Sequence, residues 1–440
     1  MHAIDWVSLL GRSHRCNACP ACPHAAAAGI RSKRRVIPRV SPVVWSLGFT
    51  SLLTDVSAEM VSSILPMYLV LHLRLSPLAF GVVDGVYQGF AALLRIAGGF
   101  AGDRWRQHKL IAATGYGLSA VSKLGILLVG GTWSGIAGMV ALDRMGKGIR
   151  TAPRDALITL NSPCRELGQA FGVHRALDAV GAMMGPLLAF ALLALLPGAF
   201  DVIFVVSFCI ALIGVAVIVL FVDPPARPRH LVKESAPSVR EAAALLREPR
   251  FRSLVIASGV LSVATMSDAF VFLALQHRMQ FNAGWFPLLY VGVSCVNFLF
   301  AIPGGQAADK SGRLPMFLGG HALLIGVYAL VLLPTPGLPH VALAVFLLGA
   351  YYAATDGVLA AMVGTTLPAR LCGSGLSVMS TATNLGRLAA SMLFGAIWNW
   401  WSLNTAVLSF MIGLVLVLGG AKVVILQTAA HRIGDSASVT

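Results

Sequence analysis

Apolar residues run along this chain in long stretches, broken at regular intervals by short polar connections. Twelve stretches can be read, at about 44–72, 77–101, 110–131, 133–158, 168–197, 199–222, 253–277, 284–307, 314–334, 340–367, 373–398 and 402–426. Each exceeds the ~20 residues that an α-helix needs to cross a hydrocarbon core of ~30 Å. The pattern predicts an all-α integral membrane protein with twelve transmembrane helices. The connection from Asp223 to Arg252 is the longest interior one and carries Pro224, Pro225, Pro228 and Pro237 with charges of both signs. It divides the runs six and six. The expected organisation is a tail over 1–41, a six-helix bundle over 42–222, a linker over 223–252, a second bundle over 253–428 and a tail over 429–440.

Composition agrees. Of 440 residues, 57% are hydrophobic and only 12% charged, against about 25% charged in an ordinary soluble domain. That balance excludes a soluble enzyme, a disordered chain and a fibrous protein. Seven Cys in this length are too sparse for a disulfide scaffold. The net charge of +15 would suit a nucleic-acid binder only if Lys and Arg gathered on helix faces. Here they punctuate the apolar runs. The tails and even-numbered connections, counted with Arg150, Arg154 and Lys422 at the ends of the adjoining runs, hold 25, the opposite side holds only Arg74 and Arg278, and six lie elsewhere within runs, which accounts for all 33. Basic residues gather on the cytoplasmic side of membrane proteins. Both termini are therefore expected in the cytoplasm, with the chain multi-pass in a bacterial inner or plasma membrane and no nucleic-acid partner.

The first 40 residues stand apart. Arg31, Lys33, Arg34, Arg35 and Arg39 directly precede the first run and fix that end inside. No apolar stretch there suits a secretory signal. Cys16, Cys19 and Cys22, flanked by His14 and His24, have a spacing that can hold a soft metal. No second ligand pair supports a closed zinc site, and the plainer expectation is a disordered extension or a mis-set start codon. No cofactor is expected.

The two halves repeat. Thr54-Asp55 in the first run matches Ser267-Asp268 in the seventh, and Asp143 in the fourth matches Asp356 in the tenth, both at an offset of 213. Asp103 after the second run matches Asp309 after the eighth. Charges within membrane helices are rare, so matched acids argue for duplication. Parallel six-helix repeats are one transporter plan. After the second run the chain reads Gly99-Phe-Ala-Gly-Asp103-Arg104-Trp-Arg106-Gln-His-Lys109, and after the eighth Gly305-Gln-Ala-Ala-Asp309-Lys310-Ser-Gly312-Arg313. Over roughly 42–428 the chain resembles the major facilitator superfamily, whose G-x-x-x-D-R-x-G-R-R/K loop both segments approach. The first departs at Arg106 and Gln107. Arg144-Met-Gly-Lys147-Gly148 is similar to the family's R-x-x-Q-G-x-G, with Lys147 at the Gln position and Arg150 at the last Gly. Gly172, Gly181, Gly185 and Pro186 fit most of the fifth-helix pattern of antiporting members, with Ala189-Phe190 in place of its last two Gly. The segment from Asp143 to Asp155 also resembles an uncharacterised bacterial branch. The resemblance implies a carrier working by alternating access, with a cytoplasmic gate at Gly99, Asp103 and Arg104 and at Gly305, Asp309, Lys310, Gly312 and Arg313. At this gate Asp103 and Asp309 can pair with Arg104 or Lys310, or accept from a helix N-terminus.

Leaving aside Arg150, Arg154, Asp155, Asp201 and Lys422 towards run ends, seven acids fall within runs, namely Asp55, Glu59, Asp84, Asp143, Asp178, Asp268 and Asp356, with six bases, Arg95, Lys123, Arg144, Lys147, Arg175 and Arg387. An ion in hydrocarbon costs several kcal/mol, so each should face a cavity, a partner or an interface. Asp55 and Glu59, four residues apart, share one helix face with Ser51 and Ser62. Such a pair can carry protons, or it can be held statically by Arg144, Lys147 or Arg175. Asp143 and Lys147 can form an intrahelical pair, or Arg144 and Lys147 can hold an anion with Asp143 orienting one of them. His174 and Asp178 share a face beside Arg175, and the imidazole is either a proton relay or a plain interfacial residue. Asp268 and Asp356 leave two acids for the one base Arg387. Gly115-Tyr-Gly117-Leu-Ser-Ala120 mimics a dinucleotide fingerprint but has no preceding strand, and no nucleotide-motor loop occurs. Gly181-x-x-x-Gly185 predicts close helix packing, and Pro186 a kink. The expectation is a monomeric secondary transporter rather than an enzyme, exchanging a small polar or ionic solute against protons across the bilayer. Uptake by symport and a transporter-like sensor without flux are the alternatives.

Overall fold

Helix α1 (Pro42–Met67) starts with a proline in its first turn, where the missing N–H would have had no partner. It runs on as a π-helical turn over Tyr68–His72. The computed structural model describes residues 40–105, 107–163, 166–222, 244–333, 337–367 and 371–437. The tail with Cys16, Cys19 and Cys22, and most of the linker, lie outside these. After α1 come α2 (Pro77–Trp105), α3 (His108–Leu128), α4 (Trp133–Leu160), α5 (Leu167–Leu195) and α6 (Phe200–Phe221). The second half comprises α7 (Pro249–Val263), α8 (Asp268–Met279), α9 (Phe286–Ser311), α10 (Arg313–Leu332), α11 (Leu338–Thr366), α12 (Cys372–Trp400) and α13 (Leu403–Ala437).

Twelve crossings result, because α7 and α8 together form the seventh. The apolar run over 253–277 predicts one continuous helix there, and the structure corrects it. The backbone opens between Val263 and Asp268, and its freed groups find partners. Tyr328 Oη of α10 accepts from Met266 N at 2.7 Å and donates to Ala264 O at 3.3 Å. Ser267 then caps α8, accepting from Phe270 N. Broken helices survive at membrane depth only where neighbours bond the exposed backbone. Here one buried tyrosine serves both sides of the break. In α5 the helix continues through Pro186.

The two halves use the same packing scheme. In the first, α1 packs on α5 and α6, and α4 on α2 and α3, with α3 also against α6. In the second, α7 packs on α12 and α13, and α11 on α9 and α10, with α10 against α13. Position for position these are the same neighbours, so the sequence repeat is a structural one. Between halves, α2 meets α12 and α5 meets α9, again a symmetric exchange. The outer surface is apolar: Leu128, Leu195, Leu220, Phe298 and Leu416 are each at least 69% exposed. Lys123, Arg144 and Arg150, by contrast, are at most 5% exposed. A chain that turns leucine outward and cations inward is built for lipid.

The halves close on each other at one end. There Gly81 and Gly85 of α2 lie against the α12 backbone at Ser391 and Leu388, and Phe80 meets Phe270 of α8 at 4.9 Å. The start of α5's last turns and the Ala283–Trp285 turn line one further pocket at this end. At the other end α4 and α11 make no comparable contact with the opposite half among the described residues. Charged side chains along that opening keep partial exposure at mid-helix, 20% for Asp55 and 25% for Asp178.

Candidate functional site

The charged lining of the first half depends on how closely α3 and α4 approach. A Cβ on Gly115 would sit 2.7 Å from Gly146 O, and one on Gly146 would sit 2.4 Å from Gly115 O. Gly115 therefore serves packing. This contact brings Lys123 of α3 to Asp143, with Nζ 2.7 Å from Oδ1. Arg144 Nε donates to the other carboxylate oxygen at 2.9 Å, and its guanidinium lies 4.1 Å from the Tyr87 ring. Both Asp143 oxygens are thereby occupied. The intrahelical pair of Asp143 with Lys147 does not form: α3 supplies a better-placed ammonium, and among the described residues Lys147 has no carboxylate within 4 Å.

Arg150 and Arg154, which the charge count places in a connection, belong to the same web. α4 carries on past them to Leu160. Arg150 is buried, donates to Ser119 Oγ at 2.8 Å, lies 4.6 Å from the Tyr116 ring and stands 3.9 Å from Asp55. Arg154 ties three helices together. It reaches Asp155 at 3.0 Å, Ser51 Oγ of α1 at 3.1 Å and Asp178 of α5 at 3.9 Å. Static pairing of Asp55 thus falls to Arg150 rather than to Arg144, Lys147 or Arg175. Arg175 is exposed and makes no ion pair among the described residues. His174 is buried with Nε2 3.5 Å from Asp178 Oδ2, but neither ring nitrogen has hydrogen-bond geometry to a partner.

A cavity of about 220 Å³ lies between the halves, bounded by Glu59, Asp84 and Asp268 with Tyr87, Tyr290 and Tyr352, and no Lys or Arg lines it. Ser62 donates to Glu59 at 2.6 Å, Ser391 of α12 to Asp84 at 2.5 Å, and Tyr352 to Asp268 at 2.7 Å. Each carboxylate accepts a hydroxyl, and among the described residues none has a basic partner within 4 Å. A second cavity, about 280 Å³, opens within the second half and holds Asp356, Arg387 and His321. Asp356 is exposed although its helix lies deep in the bundle, because it faces this opening. Among the described residues no group of three or more His, Cys, Asp and Glu is placed to hold a metal ion.

The helix-5 glycines seat α5 on α1 beside the acids. A Cβ on Gly181 would meet Leu52 O at 2.6 Å and Asp55 Cβ at 3.2 Å, and one on Gly185 would meet Val56 O at 2.6 Å and Glu59 Cβ at 2.8 Å. Gly172 has nothing within 4 Å. The Major Facilitator Superfamily model matches residues 47–391. The chain belongs to the major facilitator superfamily. It is a multi-pass secondary transporter, and the superfamily is not one of enzymes. An uncharacterised MFS-type transporter of Methanocaldococcus jannaschii is 30% identical over 389 residues, covering 86% of this chain and 93% of that protein. Among solved structures, a point mutant of the nucleoside transporter NupG superposes with a TM-score of 0.73 at 15% identity, over 87% of this chain and 99% of its own. A bacterial homologue of the human lysosomal transporter Spinster, inward-facing and unoccupied, does so with 0.64 at 14% identity, over 90% and 96%. At such identities the likeness is one of fold.

In this superfamily member the loop between α9 and α10 turns at Gly312, whose φ of +101° strains any other residue. Asp309 there pairs with Arg313 at 3.1 Å and not with Lys310. Arg313 also donates to Ala361 O at 3.1 Å and Thr365 Oγ1 at 3.2 Å on α11. The motif thus ties α9, α10 and α11 of one half together, because Asp309 lies in the last turn of α9, Arg313 begins α10 and the turn at Gly312 joins them. The side chains of Asp103 and Arg104 and the surroundings of Gly99 lie outside what is described. Tyr87, Tyr116, Tyr290, Tyr352 and Ser391 were not legible as site residues, since a tyrosine or serine in an apolar run carries no pattern of its own.

Proposed function

We propose that this transporter couples export of a small polar or ionic solute to proton entry, through carboxylates on α1 and α8. The observation that carries this is the cavity between the halves. Glu59 and Asp268 line it and accept hydroxyl bonds, and among the described residues neither has a Lys or Arg within 4 Å. Carboxylates so placed can gain and lose a proton as the cavity changes access. Asp55 lies one turn from Glu59 and touches Arg150 only at 3.9 Å, so the web leaves it loosely held. The packing of Gly181 and Gly185 against the backbone beside these acids supports antiport, the mode with which the helix-5 pattern is associated.

The test is net flux in proteoliposomes, read with a pH-sensitive dye and solute counterflow. Glu59→Gln and Asp55→Asn keep shape and remove titration. Net proton-driven flux is expected to fall at least tenfold in one or both, with counterflow retained. Solute still accumulated against a gradient by both variants would overturn proton carriage by α1. Movement of solute and proton in the same direction would make the chain a symporter.

Orientation follows from the charge asymmetry, which supports both termini in the cytoplasm. Reporters fused after Leu73 and Met279 should then read outside, and fusions after Arg106 and Val232 inside. On this orientation the closed end of the bundle faces outward and the opening faces the cytoplasm. A cytoplasmic signal after Leu73 would invert the assignment.

A further inference from the structure

Position 143 and position 356 are the same place in the two halves, yet their surroundings differ. Around Asp143, Lys123 and Arg144 close both carboxylate oxygens. Around Asp356 nothing closes. The second half has one base at this depth, Arg387 of α12, and it lines the same 280 Å³ recess as Asp356. The two are not within 4 Å of each other, and Arg387 has no hydrogen-bond partner among the described residues. Ser258 Oγ of α7, 2% exposed, borders the recess without a partner. His321 has Nδ1 2.9 Å from Phe317 O, which leaves Nε2 for another group. Unpaired ions and an unpaired buried hydroxyl are costly to maintain at membrane depth. A duplicated fold that pairs its charges on one side and opens them on the other has one side prepared for something else.

We infer that this recess binds a small zwitterion, a solute carrying an oxyanion and an ammonium group. Arg387 takes the oxyanion, since a guanidinium fork matches a carboxylate bidentately. Asp356 takes the ammonium, and Ser258 and His321 Nε2 supply neutral contacts. A solute with both charges leaves the recess neutral, whereas an anion would face Asp356 and a cation would face Arg387. The volume lies just below the usual range of about 300–1,000 Å³ for ligand pockets, which suits a single amino-acid-sized molecule. This deepens the reading of the chain as a carrier of a small polar solute and rests on it.

The test reads binding without flux. Purified full-length protein in detergent is melted with each standard amino acid and with ω-amino acids from β-alanine to 6-aminohexanoate, at about 10 mM, where even a millimolar site is mostly filled. At least one free zwitterion should raise the melting temperature, while its N-acetyl form and its amide bind at least tenfold more weakly. Arg387→Gln and Asp356→Asn should each weaken the zwitterion about tenfold or more, and Ser258→Ala by less. Should Arg387→Gln fail to fold, the comparison of free, acetylated and amidated ligand on the unaltered protein decides alone. No stabilisation by any free zwitterion overturns the inference. Equal binding of the N-acetyl form reduces the recess to an oxyanion site, and equal binding of the amide to a cation site; either overturns it. A carrier that exchanges solute without moving protons still scores here. One that moves protons with a solute of another class passes the flux test and fails this one.

Discussion

Asp143→Asn will cost this transporter more stability than loss of any other single charge. The substitution keeps the side-chain volume and removes the one carboxylate that, among the described residues, is held by two cations. Lys123, 2% exposed and bonded to Asp143 at 2.7 Å, would be left facing Arg144 with no counter-charge between them. Removing one partner from a buried pair costs about 3–5 kcal/mol, because the survivor stays desolvated and unpaired. Two survivors of like sign place this case at the upper end. Against a total folding free energy of about 5–15 kcal/mol, such a loss removes a large share. The expected result is a steep fall in the yield of monodisperse protein and in its melting temperature in detergent. Lys123→Met combined with Asp143→Asn should recover a substantial part of the loss, since Arg144 retains the Tyr87 ring at 4.1 Å and one cation is gone. If the double variant is no more stable than Asp143→Asn, the unpaired charge of Lys123 is not the source of the loss.

Much of the fold was legible because the bilayer imposes a length on every apolar run. The twelve crossings, the division near residue 223 and the repeat at offset 213 all follow from where leucine, proline and aspartate stand. The break between α7 and α8 was not legible, because hydropathy is blind to the backbone and the break depends on Tyr328, far away in sequence. Arg150 and Arg154 were misplaced for a related reason. Charges at the end of an apolar run look like a loop, whereas α4 is a long helix with its polar face turned to the opening. Spacing likewise nominated Lys147 as the partner of Asp143, and a tertiary contact through Gly115 and Gly146 put Lys123 there instead. Local periodicity fixes which residues share a face; the neighbour that meets that face is set by packing between helices.

The glycines of α5 will separate in the same way. Gly172, Gly181 and Gly185 belong to one sequence pattern, so a role for the pattern as a whole would make them equivalent. Their surroundings make them unequal. A methyl at Gly185 would fall 2.6 Å from Val56 O and 2.9 Å from Met60 N, and one at Gly181 2.6 Å from Leu52 O. These are backbone atoms of a packed helix and cannot rotate aside, so α5 must lift from α1. Overpacking of this kind typically costs 1–3 kcal/mol, and the loss extends along both helices because small residues are what let membrane helices touch. Gly172 has open space around it, and an alanine there fits. Gly185→Val and Gly181→Val should therefore lower the melting temperature sharply and abolish transport, with Gly185→Ala intermediate and Gly172→Ala indistinguishable from the unaltered protein. Function is expected to fall faster than stability in Gly185→Ala, because the same methyl would press on Glu59 Cβ at 2.8 Å and turn that carboxylate away from the cavity it lines. The measurement is melting temperature and counterflow on the four variants side by side. Equal losses at Gly172 and Gly185 would mean that the pattern acts through something other than the contact with α1.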